Sequence, residues 1–515
     1  MYDYQGPYDH YNDQTYDDIL RLNTLVEETE NCAPWYSYHA EIDEIVLGDG
    51  ITHIGSNAFY SVWGLANIAI PDSVTSIGNE AFNGCNALMS ISIPDSVTKI
   101  GSYAFSGCYN IKSITVPQSV TILETGAFGG TELINFRVDE NNPNFSNDEN
   151  GVLFNKDKTE LLQYPGDRDF AFYVIPESVI SISEAAFSNC SYLEKIMLRS
   201  NVKNIASSAL DCNEFRGIYV EESNPYFSND ENGVLFNKDK TELIQFPCSS
   251  SIESYSIPDG VTSINDRAFA SANFLESVTI PDSVISIGEE AFSDSGLTHI
   301  EIPDGVTDIK AYTFNSNNVL TSISFGNGVK TIGECAFADC SSLEKLTIPD
   351  TVTSIGDGAF RYCDVLTDVT IGNGVKTIGK RAFESCECLL SVTMGDSVTN
   401  IGSCAFDSCY NLESVTFGKN VKTIGDNAFN LCFCLRDVVI PDSVTSIGNN
   451  AFRGCDVLTD VTIGKGVKTI GEKAFDYNLK DIHYVGSREE WTKISVHESN
   501  DFTSITIHYN STQSE

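Results

Sequence analysis

No apolar run reaches the length needed to cross a bilayer, about 18 residues or more, anywhere in the 515-residue chain. Nor does the opening, MYDYQGPYDHYNDQTYDD, have the cationic and then apolar character of an export signal. Either the chain is cytosolic or it is a mature form whose signal is already gone. Positive charge is scarce: 31 Lys and Arg face 72 Asp and Glu, for a net charge of −41 and a pI near 4.3. Such a field repels phosphate backbones and anionic lipid, which excludes nucleic acid and membrane insertion as partners and suits solubility or the capture of basic partners. There is no CxxC pair, and the two CxC pairs, Cys386-Cys388 and Cys432-Cys434, have no accompanying histidine, so no metal site is read. The seven histidines, His10, His39, His53, His299, His483, His497 and His508, are scattered, and only His53 and His299 fall in the repeats described next. No P-loop, dinucleotide fingerprint or set of nucleophile, base and orienter occurs. The expectation is therefore a protein that is not an enzyme, with no catalytic residue and no cofactor.

What the chain does have is a repeat. An Ala-Phe pair, with Ile-Gly upstream and Cys three residues after the ring, recurs with its landmark residue at Phe59, Phe82, Phe105, Phe128, Phe187, Leu210, Phe269, Phe292, Phe314, Phe337, Phe360, Phe383, Phe406, Phe429, Phe452 and Phe475. The interval is 23 residues, apart from one of 22 and two of 59, so a 36-residue unit is spliced in twice. CDVLTDVTIGNGVKTIG from Cys363 and CDVLTDVTIGKGVKTIG from Cys455 lie 92 residues apart, which indicates growth by block duplication. Self-similarity at this period marks a solenoid, in which each unit buries its apolar face only against its neighbours.

Within the unit starting at Cys85, the alternation at Ile91, Ser92 and Ile93 predicts a short strand that Pro94 ends. Asp95 and Ser96 suit a turn, and Val97, Ile100 and Gly101 a second extended piece and a tight bend. Ala104-Phe105 then predicts a helical or 3₁₀ turn that drops the ring inward. Nine of the 16 cysteines sit three residues after the ring. On stacked coils about 4.8 Å apart their Cα atoms come within disulfide range, but parallel Cβ vectors leave the sulfurs badly placed, so they read as a buried thiol column.

The two longer units, about residues 139–174 and 221–256, both carry NPxFSNDENGVLFNKDKTEL, and the segments flanking NKDK predict a β-hairpin. Asp148 and Asn150 before Gly151 read as a plain turn, since the remaining ligands of a calcium loop are missing. Ahead of the repeats, Ile19, Leu22, Leu25 and Val26 follow helical spacing, and Trp35 reads as part of a cap core. After them, Ser487 to Glu490 matches a capping box leading into a short helix with Trp491, and Ser504 to Tyr509 alternates like a final strand. The organisation expected is an acidic, Tyr-rich lead and N-terminal cap over 1–37, a solenoid over 38–478, and a C-terminal cap and tail over 479–515.

The unit Cxx[LI]xx[IV]x[IV]PDSVTSIGxxAFxxC resembles the repeats of the BspA-type leucine-rich-repeat family in its period, IP turn, VTSIG bend and AFxxC close, over roughly residues 41–478. The APWYSYHAEI opening, the GVLFNKDKTEL inserts and the HYVGSREEWTKI ending also resemble flanking segments of bacterial members. The resemblance implies an α/β-type repeat solenoid: short parallel strands with 3₁₀ or helical turns in a right-handed curved superhelix, with the LxxIxI strands on the concave face. It also implies secreted or cell-surface proteins that bind host matrix or other cells. The expected function is thus a non-enzymatic extracellular binding or adhesion scaffold, a monomer presenting its concave sheet to a protein or glycan ligand. An inert structural spacer is the alternative, and an enzyme or metal-binding protein a remote one. Outward strand positions form two rows that are mostly Ser and Thr, which suits any exposed strand. The candidate ligand-binding residues on those rows are His299, Glu301, Lys345, Thr347, Asp368, Thr370, Thr393, Thr416, Asp437 and Asp460. A column of aspartates after the turn, including Asp304, Asp350 and Asp442, reads as turn chemistry.

Overall fold

The computed structural model describes residues 19–22, 42–212, 214–500 and 502–512. They form two compact units, Met1–Asp239 with Pro247–Ser249, and Lys240–Phe246 with Ser250–Glu515. Both are parallel β-solenoids in which most coils contribute to three lines of hydrogen bonds, because a chain that returns to the same place every 23 residues offers the same donors and acceptors to its neighbour each time.

The first line is the strand ladder. In the second unit it is an eight-stranded parallel sheet whose members begin at Lys345–Ile348, Asp368–Ile371 and Ser391–Met394 and end at Thr506–Tyr509. Inward positions such as Leu346 and Ile348 are buried and outward ones exposed, the period-two pattern of a half-buried strand. The second line consists of two-residue strands, nine of them in register from Asp308–Ile309 to Ser495–Val496. In the coil at residues 90–93 the alternation survives, with Ile91 and Ile93 buried, but no ladder forms.

The third line differs from the expected turn. Residues two before and two after the ring adopt the left-handed region, as at Asn57 (φ 56°) and Ser61 (φ 55°), and so interrupt any helix. Alternate N–H groups instead cross to the next coil: Asn57 N to Asn79 O at 2.9 Å, Phe59 N to Ala81 O at 2.7 Å and Ser61 N to Asn83 O at 2.7 Å. Helix is accordingly rare; among the described residues it comprises Arg488–Trp491, with the expected capping box on Ser487 and Glu490, and a 3₁₀ turn at Phe502–Ser504. Glycine of the VTSIG segment is required by contact between coils, not by a bend. A Cβ on Gly379 would lie 2.4 Å from the carbonyl carbon of Gly356, with φ outside the left-handed region.

The rings stack along each unit. Phe59, Phe82, Phe105 and Phe128 follow one another at 5.2, 5.3 and 5.7 Å. From Phe246 to Phe475 the separations are between 4.8 and 5.4 Å. Tyr164, 23 residues before Phe187, holds the ring position of the first longer coil and stacks on Phe187 at 5.6 Å. Phe246 holds it 23 residues before Phe269. Where the ring column lapses at Leu210, Phe215 packs against Phe187 at 6.0 Å.

Both longer units are variant coils with an antiparallel excursion. In the first, Phe145–Asn147 pairs with Leu153–Asn155, which pairs with Glu160–Gln163. Asn142 anchors it: fully buried, its amide donates to Pro117 O and Val120 O and accepts from the N–H groups of Asn144 and Phe145. Asp148 Oδ1 accepts from Asn150 N and Val152 N, the plain turn expected. At the start, Ile19–Leu22 is a strand parallel to Glu44–Leu47 and not part of a helix. The strand at 44–47 offers an unpaired row of donors and acceptors, and pairing with it satisfies those groups. Leu25, Val26 and Trp35 lie outside the described residues.

Candidate ligand-binding face

The outward rows of the strand ladder are fixed by backbone register, so each candidate residue has a defined neighbour on the next coil. In the second unit one row runs Lys345, Asp368, Ser391, Ser414, Asp437, Asp460, Asp481 and Thr506. Thr347, Thr370, Thr393 and Thr416 form the companion row. His299 and Glu301 occupy the same two positions on an adjoining pair of strands, opposite Ser322 and Ser324. Every candidate is solvent-exposed except Asp460, which is half-buried.

Parallel strands about 4.8 Å apart bring like side chains into contact range, so the charged steps need local compensation. Asp368 obtains it from the Ser391 hydroxyl at 2.9 Å and the Thr367 hydroxyl at 3.0 Å, which, with Lys345 nearby, hold its carboxyl below the usual range. His299 Nδ1 lies 2.9 Å from Ser322 Oγ. Asp460 accepts from Thr459 at 2.6 Å and lies 3.7 Å from His483 Nε2.

Two further parts of the face escape the repeat pattern. Asp481–Tyr484 (DIHY) and Thr506–Tyr509 (TIHY) extend the ladder beyond the last landmark, and place His508 Nε2 2.7 Å from Asp481 Oδ1, with the His483 and His508 rings stacked at 4.8 Å. Their alternation, the same as in DVTI, is the signal that could have included them.

The other lies in the first unit, on the sheet Phe172–Val174, Lys195–Leu198 and Gly217–Val220. Its outward rows read Phe172, Lys195, Gly217 and Val174, Met197, Tyr219. Phe172 is 49% exposed, Val174 38% and the neighbouring Phe170 41%. A Cβ on Gly217 would meet the Tyr219 ring at 3.0 Å, so the missing side chain lets that ring lie across the sheet. Arg168 sits over the Phe170 ring at 4.6 Å, Lys195 is exposed beside Phe172, and Arg199 and Arg216 each lie 3.7 Å from a glutamate. A face that is Ser and Thr on most coils is here aromatic, aliphatic and fringed with cations.

The cysteine column contributes no reactive group to either face. Cys386 Sγ–H donates to Phe360 O at 3.3 Å, and Cys85, Cys108, Cys340, Cys363, Cys409, Cys432 and Cys455 repeat that bond to the preceding landmark carbonyl. Burial pushes the Cys386 thiol up to about 12. The turn aspartates also tie coils together: Asp304, Asp350 and Asp442 accept from the backbone N–H of Asn327, Asn373 and Lys465. Among the described residues no group of three or more His, Cys, Asp or Glu is arranged to hold a metal ion.

A parallel solenoid of short repeating coils, with an outward strand face and apolar columns inside, is the architecture of a leucine-rich-repeat protein. The chain belongs to the BspA type leucine rich repeat region family, whose model matches residues 34–149, 167–248, 239–367 and 353–483. Solved structures similar to it include a leucine-rich repeat protein from Bacteroides ovatus, 22% identical over 97% of each chain with a TM-score of 0.45. Another is a leucine rich cell surface protein from Faecalibacterium prausnitzii, 26% identical over 68% of this chain and 95% of that one with a TM-score of 0.38. No curated protein matches the chain. No helix among the described residues is long and apolar enough to cross a membrane.

Proposed function

We propose that the chain is a non-enzymatic binding scaffold, secreted or held at the cell surface, that takes a protein ligand on its outward strand face. The observation that carries this reading is the exposed cluster of Phe170, Phe172 and Val174, with Met197 and Tyr219 beside it. Aromatic side chains left in water forgo roughly 1.5–3 kcal/mol each of burial free energy, and contiguous exposed apolar groups rimmed by charge mark protein interfaces. Tyr, Phe, Met and Arg are also the residues enriched where interfaces are fully desolvated. The row from Lys345 to Asp481 supplies charge for orientation, a smaller contribution to affinity because it is solvent-screened. Membership of the repeat family supports a scaffold role. The description of the Faecalibacterium structure as a cell surface protein supports the location.

The test is surface plasmon resonance of the full chain against immobilised matrix proteins and mucins. Phe172→Ser with Val174→Thr should weaken the bound partner at least about tenfold, which is ~1.4 kcal/mol. Charge reversal at Lys345 and Asp368 should change chiefly the association rate and its salt dependence. Wild-type affinity in the Phe172/Val174 variant would reject this face. Silence across the whole panel would favour the spacer reading.

A further inference from the structure

Beyond the strand face, the second unit contains a cavity of about 690 Å³ where its ring column ends, inside the range of roughly 300–1,000 Å³ typical of small-molecule sites. Phe475 stacks on Phe452 at 5.4 Å and 4°, but its other neighbour, Phe502, is tilted by 51° at 6.4 Å, so the last ring is not covered by a parallel one. Phe475, Phe502, Leu431, Leu479 and Ile505 form the apolar part of the lining. Tyr477 also lines it and is 89% exposed, more than any other large hydrophobic side chain of the described residues.

Three charged side chains line the cavity, Asp476, Arg453 and Lys473, and they differ in what they have left to offer. Asp476 is committed: Oδ2 accepts from Gly454 N at 2.8 Å and Oδ1 from Tyr477 N at 2.6 Å, so each of its oxygens already holds a backbone donor. Arg453 is held only by its backbone, whose N–H donates to Asn450 O and whose carbonyl accepts from Leu431 N. Its side chain is exposed and makes no ion pair with any described carboxylate. Lys473, the other cation of the lining, lies 3.5 Å from its neighbour Glu472. In a chain of net charge −41, a guanidinium without an ion-pair partner beside an apolar wall and an exposed aromatic ring is available to an anionic ligand. Asn430 adds an amide oxygen, its Nδ2 being donated to Asp407 at 3.0 Å, and Ser504 a hydroxyl.

We propose that this cavity is a binding site for a hexuronic acid residue, free or at the end of a glycan. The guanidinium of Arg453 presents a planar fork of donors that matches a carboxylate. The Tyr477 ring offers a flat apolar surface to the C–H face of a pyranose, and Asn430 and Ser504 offer partners to its hydroxyls. The site shares no residue with the strand face, so each assignment stands or falls alone.

Saturation-transfer NMR and calorimetry on the full chain at low salt, with glucuronate, galacturonate, glucose and benzoate as probes, test it. Glucuronate or galacturonate should bind at least about tenfold more tightly than glucose or benzoate, a difference of ~1.4 kcal/mol. Arg453→Gln should remove that preference while leaving the melting temperature unchanged, and Arg453→Lys should restore part of it. Tyr477→Ser should weaken both uronates and glucose. Equal binding of glucose and glucuronate, tighter binding of benzoate, no saturable uronate binding, or an unaltered preference in Arg453→Gln would each overturn the assignment.

Discussion

Tyr164 shows how a single atom separates two copies of one coil. It occupies the landmark ring position of the first longer coil, and Phe246 occupies the same position in the second. The Tyr164 hydroxyl is buried and has no hydrogen-bond partner among the described residues. Burial, above all, raises its pKa, so the phenol stays neutral at any physiological pH. An unpaired buried hydroxyl costs about 1–3 kcal/mol, whereas the ring's packing is the same in either residue. Tyr164→Phe should therefore raise the urea midpoint, by roughly 1 kcal/mol in unfolding free energy. Phe246→Tyr, the reciprocal change, should lower it. Shifts of the same sign in the two variants, or both signs reversed, would show that the hydroxyl is not an isolated cost. Asn142 and Asn224 illustrate the contrary case. Both are fully buried polar groups, but each has its amide bonds filled by carbonyls of the preceding coil and N–H groups of its own turn. The NPxFSN motif is thus legible as a repeated string in the sequence, while its purpose, seating the excursion on the stack, depends on partners some 22 to 25 residues away.

At the scale of the coil, the 23-residue period exposed the strand, the two-residue strand, the ring and the thiol, because apolar positions that stack must recur in register. It did not expose the hydrogen-bond line at the ring, since the alternating left-handed residues there vary from Asn57, Glu80 and Ser385 to Ala185 and Leu431 and share no common signature. Nor did it expose Phe172, Lys195, Met197 and Tyr219. The excursions displace these coils from the simple period, and an outward row assembled from Ser- and Thr-like letters passes over positions that differ from them. The thiol column also defines an alkaline limit. Burial raises Cys108, Cys340 and Cys386 to about 12, and raises Cys85, Cys363, Cys409 and Cys432 well above the ordinary thiol range. A proton held more tightly in the folded state contributes stability that is complete below the unfolded value near 9 and is lost as pH rises through the folded one. Each such thiol should remove ~1.4 kcal/mol per pH unit above 9. Urea unfolding under reducing conditions at pH 8, 9 and 10 should show a steep decline. The double variant Cys386→Ala, Cys409→Ala should decline less steeply by about 3 kcal/mol per pH unit, even though it starts from a lower stability at pH 8. Parallel declines in the two proteins would place the alkaline loss in other groups.

For the molecule as an array, the governing fact is that neighbouring coils are interchangeable partners. In the second unit the carbonyl that receives the thiol, the glycine that admits the next backbone and the ring that stacks on its neighbour recur at the same offset from coil to coil. Stability in such an array is close to a sum of coil and nearest-neighbour terms. Removing residues 361–383 takes out one whole period and leaves Phe406 23 positions after Phe360 in the shortened chain. Cys386 then follows Phe360 by three, so its thiol can reach the Phe337 carbonyl that Cys363 now uses. Strand Lys345–Ile348 would pair with Ser391–Met394, and Gly402 would pass over Gly356 as Gly379 does. This deletion should fold cooperatively, with far-ultraviolet circular dichroism per residue unchanged and a smaller urea m-value, because less surface is exposed on unfolding. Removing only residues 361–372 deletes about half as many residues but shifts every later ring, thiol and glycine out of register with the coils before the cut, and should abolish folding of the coils around it. If the two deletions behave alike, stability does not reside in the register between coils. If the full-period deletion folds but loses the affinity carried by Lys345 and Asp368, binding on the charged row is separable from the scaffold that presents it.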